Sequence, residues 1–146
     1  MAAAPAPAGY SETPLAQKLG LRDGQRVLWI GLPEELGALR EARAFAARAE
    51  AGWDDFARGA GGYDLIHGFT ASRAVLADAA RKLMDAIARD GSVWISWPKK
   101  ASKVATDVTE DVIREIVLPI GLVDVKVAAV SAVWSGLKLV IRKELR

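Results

Sequence analysis

The chain has 146 residues, 51% of them apolar and 26% charged, a balance that supports one globular domain and excludes a collagen-like or largely disordered chain. Twenty Lys and Arg against eighteen Asp and Glu leave a net charge of +2, too even to mark a nucleic-acid surface by itself. The absence of Cys excludes disulfides, thiolate metal sites and Cys nucleophiles, and a single His excludes multi-His zinc sites.

Met1 to Gly9 is Ala and Pro with nothing to bury, so a disordered tail is expected ahead of a single domain over residues 10–146. This start lacks the basic residues and apolar run of a signal peptide. No apolar stretch reaches the roughly 20 residues that cross a bilayer, so a cytoplasmic location without membrane contact is expected. Thr13 before Pro14 reads as the cap and first position of a short helix bearing Leu15 and Leu19, closed by Gly20. Asp23-Gly24 turns the chain into Arg26–Ile30, a buried strand ending at Gly31. Pro33, Glu34 and Glu35 resemble a helix start, with carboxylates at the positive end of the dipole. From Leu36 to about Phe56 the Ala content favours helix, Gly52 and Gly61-Gly62 break it, and a short strand near Ala44 to Glu50 is the alternative.

Tyr63–Phe69 reads as the next strand. Ser72 then caps a helix whose apolar residues, Val75, Leu76, Ala79, Ala80, Leu83, Met84 and Ile87, form one stripe. Asp90-Gly91 ends it, and Ser92–Trp97 is a third strand, followed by a basic loop from Pro98 to Ala105. Asp107 with Glu110 resembles a capping box for a helix carrying Val108, Val112, Ile113, Ile116 and Val117 up to Pro119 and Gly121. Val123, Val125 and Val127 alternate with Asp124 and Lys126, and Leu137, Leu139 and Ile141 with Lys138, Val140 and Arg142, giving two strands joined through Ser131 to Gly136. Strands separated by helices predict an α/β, Rossmann-like three-layer sandwich, mostly parallel, with an antiparallel C-terminal strand pair. Leu137 to Arg142 is expected at the sheet edge, blunted by Lys138, Arg142 and Lys143, which leaves monomer and homodimer both open.

In such a sheet a ligand crevice lies beyond the carboxyl ends of the strands, where strand order reverses. Three segments end there: Gly31 to Glu35, His67 to Ser72 and Trp97 to Lys103. The third carries most chemistry, because Lys99, Lys100 and Lys103 cluster beside Trp97, Ser102 and Thr106 and suit a phosphate or carboxylate. Lysine-rich loops also serve simply as solvated surface. His67 has the residue type of a general base, or of a hydrogen-bonded core side chain. Glu34 and Glu35 suit an acid/base pair or plain dipole complementation, and Trp134-Ser135-Gly136 suits a Trp-packed turn. Five Trp fill core or pocket equally well. Gly31-Leu32-Pro33 offers one glycine, and Pro33 lacks the N–H that a phosphate-cradling turn uses, which argues against NAD or ATP by the usual route.

Three stretches, GYSETPLAQKLGL, WPKKASK with TDVTEDVIRE, and GLVDVKV with WSGLKLVIRK, resemble a family of small bacterial proteins filed as domain of unknown function three thousand and fifty-two. The resemblance spans Gly9 to Lys143, leaves residues 42–62 unmatched, and implies a short bacterial cytoplasmic protein without an assigned activity. The element order is also similar to a shortened class I methyltransferase. That fold implies a glycine-rich turn for S-adenosylmethionine and an acidic residue after the second strand for its ribose. Gly31-Leu32-Pro33 departs from the first, and Glu50 is the nearest candidate for the second.

The expected function is a cofactor-free, non-enzymatic binding domain that takes an anionic small molecule or a partner protein through Trp97, Lys99, Lys100, Ser102 and Lys103, with Gly31 and His67 alongside. The alternative is an S-adenosylmethionine-dependent methyltransferase with an atypical cofactor loop. Nucleic acid is disfavoured, since phosphate-backbone affinity needs many cations acting together.

Overall fold

Arg26–Ile30 forms β1, buried from Val27 onward because a run of β-branched, aromatic and aliphatic side chains between two turns can be covered on both faces. The computed structural model describes residues 14–146; the tail Met1–Gly9 and the capping role of Thr13 lie outside them. The other strands are β2 (Ala47–Ala51), β3 (Tyr63–Phe69), β4 (Ile87–Pro98), β5 (Leu122–Ala129) and β6 (Trp134–Ile141). They form one sheet in the order β2-β1-β3-β4-β6-β5. β1 pairs in parallel with β2 and β3, β3 in parallel with β4, and β6 runs antiparallel to both β4 and β5. This is the predicted Rossmann-like α/β sandwich with an antiparallel C-terminal pair.

One face packs beneath α2 (Arg73–Ala86) and α3 (Glu110–Val117). Leu28, Ile30, Ile66, Val93, Ile95, Leu137 and Leu139 meet Leu76, Leu83, Ile113 and Val117 there. Burying Leu76 and Leu83 is worth about 2 kcal/mol each. The opposite face, with Val27, Trp29, Leu65, Phe69 and Trp94, is covered by Leu19 and Leu21 after α1 (Leu15–Lys18) and by Leu36 and Leu39. Trp94 Nε1 donates to Leu19 O at 2.9 Å, tying that cover to the sheet. Ser72 caps α2 as predicted, accepting from Val75 N.

Several expectations are corrected. The residues after Pro33 form a 3-10 run, Glu34–Glu41, in place of a longer helix, and the alternative of a short strand near Ala44 to Glu50 is borne out by the edge strand β2. Its sequence, ARAEA, is mostly exposed because β2 pairs on one side only, so it lacks the apolar signature of a buried strand. β4 starts at Ile87 rather than Ser92. Its register against β3 jumps from Tyr63↔Ile87 to Leu65↔Ser92, so Ala88 to Gly91 form an irregular bulge within the strand. Thr109, not Asp107, caps α3, accepting from Val112 N, while Asp107 accepts from Arg73 N. Finally, β6 is not at the edge. It is inserted between β4 and β5, which satisfies its backbone on both sides, and β5 with exposed Val125 and Val127 forms the border.

Candidate functional site

β2 and β3 leave β1 on opposite sides, so the strand order reverses beside β1 and any crevice opens at the carboxyl ends of β1 and β3. The register aligns Ile30 with Gly68 and Gly68 with Ile95, which sets Gly31, Phe69 and the Ser96-Trp97 pair along one rim. Gly31 turns the chain out of β1 with φ +67°, a conformation that favours glycine. Thr70 N donates to Ser96 O, linking the exits of β3 and β4.

The lysine loop leaves this rim directly. Trp97 packs into the helix-side core at 9% exposure, so its ring closes the interior rather than facing the lysines. Lys99 N donates to Val133 O, and Lys100–Ser102 forms one 3-10 turn. Ser102 Oγ donates to Lys99 O at 2.6 Å and accepts from Val104 N, so its hydroxyl holds the loop's own shape. Thr106 Oγ1 donates to Ala71 O, and Asp107 N donates to the same carbonyl, fastening the loop's far end to the exit of β3. Lys103 ends the turn with φ 60°, the one non-glycine residue at positive φ among the described residues. Lys99, Lys100 and Lys103 form no ion pair among the described residues.

His67 is placed elsewhere. It is fully buried on the opposite sheet face, 2.7 Å from Ser96 Oγ through Nε2 and stacked on Phe69 with centroids 4.1 Å apart. Its Nδ1 has no partner among the described residues, and burial pushes its pKa down to about 3, so the ring is neutral at physiological pH. Glu34 and Glu35 open the 3-10 run. Trp134 packs edge-on against Phe69.

Glu50, the nearest acidic candidate in the sequence, stands at the crevice, whereas Trp53 beside it escaped the sequence reading. Glu50 lies one residue before the end of β2, opposite Trp29 on β1, so an acidic side chain does stand at the exit of that strand. Arg40 holds it, with Nε and Nη2 donating to its two oxygens at 2.6 and 2.8 Å. Trp53 lies across the crevice itself. Its Nε1 donates to Phe69 O at 2.9 Å, and a Cβ built on Gly68 would fall 2.5 and 2.8 Å from two of its ring carbons. A Cβ on Gly31 would meet Trp53 Nε1 at 3.5 Å. Gly68 inside a buried strand was the available signal, since a strand glycine often marks a close approach.

Comparison with solved structures shows the same architecture. A TehB-like SAM-dependent methyltransferase from Corynebacterium glutamicum ATCC 13032 Kitasato superposes with a TM-score of 0.62 at 12% identity, over 92% of this chain and 91% of that one. A SAM dependent methyltransferase from Aquifex aeolicus gives 0.65 at 14% identity, over 87% of each chain. Magnesium protoporphyrin IX methyltransferase from Synechocystis PCC 6803, with bound SAM, gives 0.57 at 14% identity, over 88% of this chain and 74% of that one. The fold is therefore that of the class I methyltransferases. No family model matches the chain, so the resemblance to the small bacterial family gains no support there, and no curated protein matches either. No described helix is long and apolar enough to cross a membrane.

Proposed function

We propose that the chain is a binding domain built on the methyltransferase-like fold, taking an anionic group, carried by a small molecule or an acidic partner surface, on the loop from Lys99 to Lys103. The observation that carries this reading is three lysines on one fastened turn at the carboxyl rim, none in an ion pair among the described residues. The strained backbone at Lys103 adds to it, because non-glycine residues at positive φ concentrate at functional sites. Calorimetric titration with inorganic pyrophosphate at fixed ionic strength tests the reading. Binding by the wild type that disappears in Lys99→Ala with Lys100→Ala, at nearly unchanged melting temperature, supports it; equal binding by the double variant refutes it.

The second reading is an S-adenosylmethionine-dependent methyltransferase. The solved neighbours favour it over a cofactor-free domain, and Glu50 stands where an acidic residue would meet the ribose. The residues around the crevice do not fit the cofactor as they stand. Gly31 is a lone glycine and Pro33 supplies no N–H. The Glu50 carboxylate is engaged by Arg40, and Trp53 lies over Gly31 and Gly68. His67, sealed in the core, has no route to a substrate. Micromolar binding of S-adenosylmethionine by the wild type would promote this reading over the first.

A further inference from the structure

We infer that the switch-point crevice is a slot for a flat aromatic ring that the protein fills with its own Trp53, so that the wild-type chain excludes a free ligand from it. The indole lies lengthwise from Gly31 to Gly68. Its pyrrole edge sits against Gly31, and its benzene edge covers the place where a Gly68 side chain would be. Its one polar atom is satisfied by Phe69 O, a carbonyl at the strand exit that would otherwise face the crevice. The ring is also braced edge-on by Phe56, with centroids 6.1 Å apart at 84°.

The segment carrying it is short and held at its base. Gly52 N donates to Asp55 Oδ1, and Phe56 N donates to Gly52 O. Phe56 is itself buried, so the turn from Gly52 to Arg58 is pinned to the helix-side core just after Trp53. Two glycines clear the floor, a carbonyl supplies an acceptor, and a ring fills the space: these are the features of an aromatic binding site, met here within one chain. The inference is independent of the lysine loop, whose variants leave this slot intact.

Removing the side chain vacates the slot and frees the Phe69 carbonyl, leaving between Gly31, Gly68 and Phe56 a half-buried opening that suits a flat ring bearing one N–H donor. Trp53→Ala is therefore expected to bind free indole and gain melting temperature from it, whereas the wild type shows neither effect. A folded Trp53→Ala that ignores indole, or a wild type that binds indole or S-adenosylhomocysteine as tightly as the variant, overturns the inference. A measurement on the wild type alone covers the case in which the variant does not fold. The Trp53 indole proton, assigned by its loss in Trp53→Phe, should exchange with solvent at least tenfold more slowly than free tryptophan; exchange at the free rate overturns the inference equally.

Discussion

Arg40 and Glu50, ten residues apart in sequence, meet through two parallel hydrogen bonds of 2.6 and 2.8 Å that bind the 3-10 run Glu34–Glu41 to the exit of β2. This fork holds the Glu50 carboxyl below the usual carboxylate range, chiefly through the Arg40 hydrogen bonds. Because its folded pKa is depressed, the pair's contribution is present above the unfolded carboxyl pKa and is lost as pH falls through the folded one. Arg40→Ala should move the Glu50 titration upward, toward that of a free glutamate, in carboxyl-carbon NMR. An unmoved midpoint would show that the fork does not form in solution.

His67 sets a second pH dependence. An unfolded imidazole protonates near pH 6.5, whereas His67 does so near pH 3 because burial penalises its charged form. Between those values the unfolded state binds the extra proton, so stability rises with pH across that window. The contribution is complete above pH 6.5 and shrinks on acidification. From pH 7 to pH 5 the wild type should lose about 2 kcal/mol more than His67→Gln, a difference that urea unfolding at the two pH values measures.

Lys103 occupies the left-handed region that glycine takes without cost. Lys103→Gly should therefore raise stability by about 1 kcal/mol, or roughly 3 °C in melting temperature. The same change should weaken pyrophosphate binding, because it removes one of the three ammonium groups. Calorimetry of unfolding and of binding on one variant reads both.

Gly91 lies in the bulge of β4, and a Cβ there would approach Tyr63 O at 2.8 Å and Ala88 O at 3.0 Å. These are backbone atoms and cannot swing aside, so Gly91→Ala should cost about 2 kcal/mol or more in denaturant unfolding. Gly52→Ala is the control. Its added carbon meets only Asp55 Oδ1 at 3.6 Å, ordinary contact, and its effect should stay within about 0.5 kcal/mol.

The sequence by itself determined the order of elements and the fold class. The runs at Val27–Ile30, Tyr63–Phe69 and Val93–Trp97 are apolar enough to demand burial on both faces, and the stripe from Val75 to Leu83 repeats at the helical period. It also determined that the lysine loop follows a strand exit. Only the tertiary structure decided that ARAEA is a strand, because an edge strand with small and charged residues carries little local signal and takes its conformation from the ladder with β1. Only it moved β6 from the border to the interior, since alternation in a sequence records which side chains are covered and not which neighbours a backbone pairs with. Trp53 is the sharpest case. Nothing local distinguishes it from any other turn residue; its role arises because the fold brings Gly31, Gly68 and Phe69 O together beneath it, a juxtaposition of distant segments whose one trace along the chain is Gly68, a glycine inside a buried strand that does not say what approaches it.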